Sequence, residues 1–517
     1  MSHDSCKRQS LKDEARKHLL CKRYMDECIF FSIAVDTALF RYEHFISCMV
    51  RFSFDNRVLE LPLFIGPCFV SSGKDLAGFI FRKLEERNAR FDKFVSMATD
   101  GAANMIGKYN GVTSHFKVLV REHCRDNNVA CPLSHSVWCF AHRLNLVTKS
   151  FLTAKPVNIV VAFADWFANK RRQVSYKSFL TSNHSGSQVR AIPQPSLTRW
   201  MFYKDVVSAI VSQAPFVEEF VSDESDFITF WNQLRNDPVN YGPWVEQEFS
   251  FKNKRIKAIF DFTQFFLELV GRTNSVFQER FSTVGQLWEI VVSLKMKVNS
   301  LIIQMGREVI TSLESLCELS REETGQLQTT LRQLLHSLEM RFPVPSVSFD
   351  MKLRQHSRGS GVSLLNPPTT LEHLNCSVLP LLSFMAFPHD VVHFDLSPSV
   401  LQRGLHDEVE RMTQEILTRK NAIIKVNRER SRAVSKKVGF PVVTPIGVAD
   451  VFTVLDSRDY PLIWREYIKS NTIVPTTVSC ERSFSVTKYS IHLNMKGDSI
   501  IASVTNKLHE NAPTKWF

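Results

Sequence analysis

The spacing of apolar and polar positions changes several times along the chain. Cys28-Ile-Phe-Phe-Ser-Ile-Ala-Val-Asp36 is a short apolar run that ends on an acid, the pattern of a buried strand. His44 to Phe52 and Val58 to Ile65 follow as two further strands, separated by the turn-like Asp55-Asn56. Ser72-Gly-Lys-Asp75 then opens a helical pattern through Leu76, Phe79, Ile80, Leu84 and Arg87. Phe94-Val-Ser-Met-Ala-Thr-Asp100-Gly101 predicts a fourth strand, again ending on an acid. Gly107 to Val120 predicts a helix, and Ser136-Val-Trp138 a fifth strand that runs into a helix near His142.

That order is strand, strand, strand, helix, strand, helix, strand. Three antiparallel strands followed by crossovers is the ribonuclease-H arrangement, in which the first and fourth strands lie side by side. Asp36 and Asp100 are then expected to face each other at one end of the sheet. From about Phe151 to Met340 the period is helical, most clearly over Arg255–Leu269, Phe281–Met305 and Leu327–Leu338. Pro343, Pro345, Gly359, Gly361, Pro367 and Pro368 mark an irregular segment over 343–398. A long helix is expected from Ser399 to Lys437. The predicted organisation is a helical extension over 1–28, a first core segment over 29–150, a mostly helical insertion over 151–470 and a closing segment over 471–517. The fold class is therefore α/β plus α, a mixed sheet interrupted by a large helical insertion.

Bulk properties narrow the setting. The chain has 517 residues, 44% of them hydrophobic and 22% charged, ordinary values for a globular protein. No run of about 20 apolar residues predicts a membrane span. Met1 to Leu20 is charged and lacks the apolar stretch of a signal peptide, which points to the cytosol or nucleus. The 11 cysteines are scattered without a Cys-x-x-Cys pair, against a disulfide framework or a zinc ribbon. The formal charge is +12, which suits a phosphate-backbone partner. Ile416 to Lys437 concentrates that charge, with eight Lys or Arg against one Glu. Lys425, Arg428 and Arg432 are its candidate phosphate contacts, although a charged helix face is as often simply solvated.

Two acids at strand ends fit metal-assisted phosphoryl chemistry, in which carboxylates hold hard divalent ions that stabilise attacking and leaving oxygens. The plainer reading is a turn, since Asp-Gly is a common turn dipeptide. Cys139 and His142, with His123, Cys131 and His135 upstream, match no standard zinc spacing, and a packing or hydrogen-bonding role fits them better.

Four blocks then carry a resemblance. Ala98-Thr-Asp-Gly-Ala-Ala-Asn-Met-Ile-Gly-Lys-Tyr-Asn-Gly111 resembles the block around the second catalytic aspartate of the hAT superfamily of DNA transposases. Trp138-Cys-Phe-Ala-His-Arg-Leu-Asn-Leu146 resembles its Cys-x-x-His block, and Ser196-Leu-Thr-Arg-Trp200 its Thr-Arg-Trp block. Ile473-Val-Pro-Thr-Thr-Val-Ser-Cys-Glu-Arg-Ser-Phe-Ser485 resembles the C-terminal dimerisation block. The blocks stand in the family's order over roughly residues 29 to 511.

The resemblance implies a ribonuclease-H-like core, a catalytic and metal-binding triad of Asp36, Asp100 and Glu481, and Mg²⁺ or Mn²⁺ as cofactor. It implies DNA contacts by Trp200 and Arg199, with Trp200 stacking on distorted DNA. It also implies a homodimer and a nuclear location, with chromatin or transcription proteins as further partners. Two departures stand out. No BED finger precedes the core, and Asp36 is followed by Thr-Ala-Leu-Phe-Arg-Tyr instead of the family's acidic and small residues. Two functions follow as expectations. One is a domesticated, transposon-derived nucleic-acid-associated protein of reduced or no transposition activity, similar to relatives with SCAN or BED-finger names. The other is an active metal-dependent transposase or nuclease. Glu481 also has a plain structural reading, as a first-turn glutamate favoured by the helix dipole after Thr477 or Ser479.

Overall fold

The computed structural model describes residues 18–40, 43–55, 57–131, 135–184, 192–193, 202–241, 244–306, 313–342, 407–442 apart from 409, 410, 413 and 417, then 448–484 and 514–516. It is a mixed α/β fold. Residues 18–27 are helical and lead into β1 (Phe30–Phe40), β2 (Glu43–Ser53) and β3 (Arg57–Pro67). Helix α1 (Gly73–Glu85), β4 (Phe94–Thr99), helix α2 (Val112–Asp126) and β5 (His135–Trp138) follow. The sheet order is β5-β4-β1-β2-β3-β6, where β6 (Thr514–Trp516) is a three-residue edge strand. Strands β1, β2 and β3 are antiparallel, while β4 pairs parallel with both β1 and β5.

Alternation along each strand assigns its two faces. In β1, Phe31, Ile33 and Val35 face one core, which α1, α2 and residues 18–27 cover through Leu76, Ile80, Phe116, Val120 and Met25. Phe30 and Ala34 face a second, larger core shared with the helical region. Asp36 lies two residues beyond Ala34 and Asp100 two beyond Ala98, so both belong to that second face.

Between β5 and β6 all the described elements are helical. They include α3 (Phe140–Leu152), α4 (Lys254–Phe277), α5 (Val284–Gly306), α6 (Arg321–Arg341), α7 (Lys420–Val438) and α8 (Pro461–Thr472). Local chemistry sets several ends. Asn253 caps α4 through its side chain, and Ser320 and Glu323 form a reciprocal capping box on α6. Gly439 ends α7 in the left-handed region, at φ 78°. Among the described residues no single helix is long and apolar enough to cross a membrane.

Three sequence expectations need correction. Asp36 does not end its strand, because β1 continues to Phe40 and stays paired with β2 as far as Phe40↔Glu43. The apolar run stops at Asp36, but the backbone ladder does not. The helix expected from Gly107 to Val120 begins only at Val112, as α2, and the short helix Ala103–Ile106 precedes it. There the backbones of Gly107 and Gly111 touch, and a Cβ on Gly111 would sit 2.4 Å from the Gly107 nitrogen. The long helix expected from Ser399 to Lys437 is interrupted by a turn at Arg419, before α7 begins. Residues 343–398, like Arg199 and Trp200, lie outside the described residues.

One buried ion pair ties the two ends of the chain together. Arg51 of β2 and Glu60 of β3 are direct cross-strand partners and are 3% and 5% exposed. Arg51 Nε donates to Glu60 Oε1 at 2.7 Å. Its Nη1 donates to the carbonyls of Ser282 at 3.2 Å, Asn471 at 3.2 Å and Ile473 at 3.0 Å. Ser479 Oγ lies 3.3 Å from Glu60 Oε2. Removing one partner strands the other charge in the interior. Arg51→Ala is expected to lower the unfolding free energy by about 3–5 kcal/mol, measured by urea denaturation. Replacing both partners by apolar residues of similar volume should recover most of that loss, and equal losses in the single and double variants would rule out the stranded-charge account.

Candidate acidic site at the end of the parallel strands

Asp36 is 7% exposed and its Oδ1 accepts the Thr37 amide at 2.9 Å. Parallel β1 and β4 are in register at Ala34↔Ala98, so the Asp100 loop leaves β4 beside Asp36. Asp100 is half-buried and its Oδ1 accepts the Ala102 amide at 3.3 Å. The third acid arrives from the far end of the chain. Residues 478–484 form a helical turn laid across β1 and β2. Cys480 Sγ donates to the Ala34 carbonyl at 3.2 Å, across 446 positions. Ser483 Oγ lies 2.7 Å from Ser47 Oγ, and Ser47 is the cross-strand partner of Asp36. Glu481 lies between these two anchors.

The Cys-x-x-His block does the joining. Cys139 is fully buried, and its amide donates to the Thr99 carbonyl at 2.9 Å. Its sulfur accepts the Thr477 amide at 3.3 Å, and the Phe140 amide donates to the Pro475 carbonyl at 3.1 Å. One turn further along α3, His142 Nδ1 lies 3.8 Å from Glu481 Oε1. Cys139 thus connects β4, α3 and the closing segment, while His142 borders the acids. The other cysteines and histidines of that region lie elsewhere. Cys131 is exposed, and His123 packs on Phe91 and faces Glu85 at 3.6 Å.

The electrostatics are those of acids gathered in a partly buried place, with Arg482 as an opposing charge. Burial, reinforced by the Asp100 charge, pushes the Asp36 carboxyl up to about 7, against the opposing Thr37 hydrogen bond. Burial and then the Asp36 charge push Glu481 up to about 8; Arg482 opposes this and Asp100 adds to it. Burial lowers His142, with Asp100 working the other way. At neutral pH the site therefore holds a protonated Glu481 and a neutral imidazole. Among the described residues no three His, Cys, Asp or Glu side chains stand close enough together to hold one metal ion. The donor chemistry still fits a hard divalent cation, since three carboxylates offer only oxygen ligands and each raises the cost of ionising the next.

The remaining candidates separate. Lys425, Arg428 and Arg432 are exposed on α7, far in sequence from the acids. Arg430 of the same basic run turns inward, to Asp450 at 2.9 Å and Glu289 at 2.9 Å. Sequence reasoning did not single out Arg51 and Glu60. Their signal was a lone opposite charge in each of two apolar strands joined by a short turn. Gly101 is a further contact that the sequence gave no way to find. A Cβ there would meet the Trp138 indole nitrogen at 2.2 Å, so the Asp100 loop packs on that ring. Compared with models of known protein families and with characterised proteins, the chain has no significant match.

The shifted acids give a pH dependence with a definite sign. Asp36 and Glu481 bind protons more tightly folded than unfolded, from ordinary values of 3.8 and 4.5. Their contribution to stability is fully present in acid and is lost as pH rises through about 7 and about 8. His142, shifted down, works in the opposite direction, so the comparison needs a variant. Glu481→Gln is expected to lose less stability than the wild type between about pH 5 and pH 8.5, by urea unfolding at each pH. Parallel pH profiles for the two proteins would show that Glu481 is not shifted.

Proposed function

We propose that this chain is a transposase-derived, nucleic-acid-associated protein with a ribonuclease-H-like core of the hAT type, dimeric and of reduced or no transposition activity. One observation carries the reading. Asp36, Asp100 and Glu481 come from a strand, a loop and a helix far apart in sequence, yet lie near enough at one end of the parallel pair β1 and β4 for their charges to interact. The antiparallel β1-β2-β3 meander followed by parallel β4 and β5 supports the same core. A nuclear location and chromatin or transcription partners belong to this reading, with DNA as the ligand.

Mg²⁺ or Mn²⁺, when bound, supplies positive charge for a phosphate's developing oxyanions and lowers the pKa of a water. The chain's own residues set how readily that happens. Glu481 holds its proton at neutral pH and must lose it before it can act as a ligand. His142, neutral, borders Glu481 with its Nδ1 3.8 Å from Glu481 Oε1. The Thr-Ala-Leu-Phe sequence after Asp36 favours reduced activity over a fully competent enzyme. The active metal-dependent nuclease is the second reading, favoured by the persistence of all three acids.

A nicking assay on hairpin and element-end DNA with Mg²⁺ or Mn²⁺ separates the two. The reduced-activity reading expects DNA binding and Mn²⁺ binding that Asp100→Asn weakens, with little or no nicking. Metal-dependent nicking abolished by Asp100→Asn, a loss on the order of 10³-fold or more, establishes the active reading instead. Neither DNA binding nor metal binding overturns both. A monomer mass by light scattering at micromolar protein would remove dimerisation from the proposal.

A further inference from the structure

Helix α7 carries its charge unevenly. At 100° per residue Lys425, Arg428, Arg432 and Lys436 fall on one stripe, and all four are exposed. Glu429 flanks that stripe and leaves it a net excess of three positive charges. Arg430 points the other way and locks the helix to the body of the protein through Asp450 and Glu289, with Asn427 also donating to Asp450 at 3.1 Å. From Lys425 to Lys436 the stripe runs about 16 Å, roughly five phosphate steps of one strand of a duplex.

The stripe leads somewhere. At the C-terminal end of α7, Lys437 pairs with Glu279 at 2.8 Å. Glu279 belongs to the loop after α4, and that loop reaches the acidic site. Arg482, the neighbour of Glu481, donates to the Gln278 carbonyl. Arg280 of the same loop is exposed and stands close enough to Arg482 for the two guanidinium charges to repel. Glu60 and Glu481 offset the charge of Arg482, and the exposed Arg280 adds positive charge beside the acids that a phosphate backbone could meet.

We propose that Lys425, Arg428, Arg432 and Lys436, with Arg280 and Arg482 beyond the helix end, form a track that holds the phosphate backbone of a polynucleotide and delivers it to the Asp36–Asp100–Glu481 site. This rests on the nucleic-acid reading above and adds the path. Contacts of this kind position a strand and read no sequence. They also release counterions, so their number appears in the salt dependence of binding.

The test is fluorescence anisotropy of a labelled, roughly 20-base-pair duplex and of a single strand of the same length over a range of salt. One variant replaces Lys425, Arg428, Arg432 and Lys436 by Gln. A charge-matched control replaces Arg82, Arg90, Arg121 and Arg125, exposed on the opposite side of the sheet. Circular dichroism confirms that both fold. The α7 variant is expected to bind at least about tenfold more weakly at 0.1 M salt, and its log–log salt slope on duplex to flatten by about 3–4. Arg280→Gln flattens the slope by about 1 more. Losses should be alike for unrelated sequences. An unchanged α7 variant, an equal loss in the control, or a loss confined to one sequence overturns the track while the nucleic-acid reading stands. Absence of any salt-dependent binding by the wild type overturns both.

Discussion

The structure depends most on a single guanidinium. Arg51 lies near the C-terminal end of β2, buried with a ring of oxygen acceptors about its guanidinium and the Phe281 ring beside it. Glu60 neutralises it across the sheet, and three carbonyls from Ser282, Asn471 and Ile473 take up one of its terminal nitrogens. These carbonyls come from the loop after α4 and from the end of α8. A charge buried in this way is tolerated only while all of its partners stay in place. It therefore fixes where the helical region and the closing segment meet the sheet. Glu481 lies eight residues beyond the last of those carbonyls, and its position near Asp36 follows from theirs.

The same face of the sheet holds two opposite electrostatic arrangements within a few strands of each other. At Arg51 and Glu60 a positive and a negative charge cancel, and the remaining hydrogen-bonding capacity goes to backbone. At Asp36, Asp100 and Glu481 negative groups accumulate in a partly buried place, and protons make up the difference, at about 7 for Asp36 and about 8 for Glu481. A fold selected for stability alone has no need of the second arrangement, since burying like charges together opposes folding as pH rises. Perturbed acids of this kind concentrate at functional sites. The nearby Cys139 and His142 divide the work between them. The thiol, fully buried, holds backbone in place, and the imidazole remains at the border of the acids.

The sheet was legible in the sequence because strand period and apolar content agreed. Five strands and their order follow from runs such as Phe94 to Thr99, every residue of which is buried. Asp36 does not end its strand because β1 continues on backbone pairing with β2 through Thr37, Ala38 and Leu39, whose side chains are progressively more exposed. Gly107 and Gly111 delay the start of an expected helix to Val112 for a reason that lies in contact between two backbones, which no side-chain period records. The acids could be named from motif order, but their shared environment could not, because burial and the charges the acids exert on one another depend on packing that is remote in sequence. Arg430 shows the same limit. Within a run of eight cations nothing local distinguishes the one that turns inward to Asp450 from those that face solvent.

The helical region enters and leaves the sheet at one point, which explains how the sheet core tolerates it. Cys139 at its start and Thr477 at its end are 338 positions apart and in direct contact. Phe140 and Pro475 are bonded one step further in. To the sheet, the whole region is a loop with its ends pinned together, and the entropy of closing a loop grows only with the logarithm of its length. The region is nevertheless no appendage. Phe30, Ala34, Val95, Ala98 and Val137 of the sheet share one continuous core with α3, α4, α5 and α6. The acids sit where that core meets the end of the parallel strands β1 and β4, so packing changes in the helices reach them through α3 and through the loop after α4. The pinned ends carry His142 on one side and Glu481 on the other. Closing the loop and assembling the acidic site are therefore the same structural event.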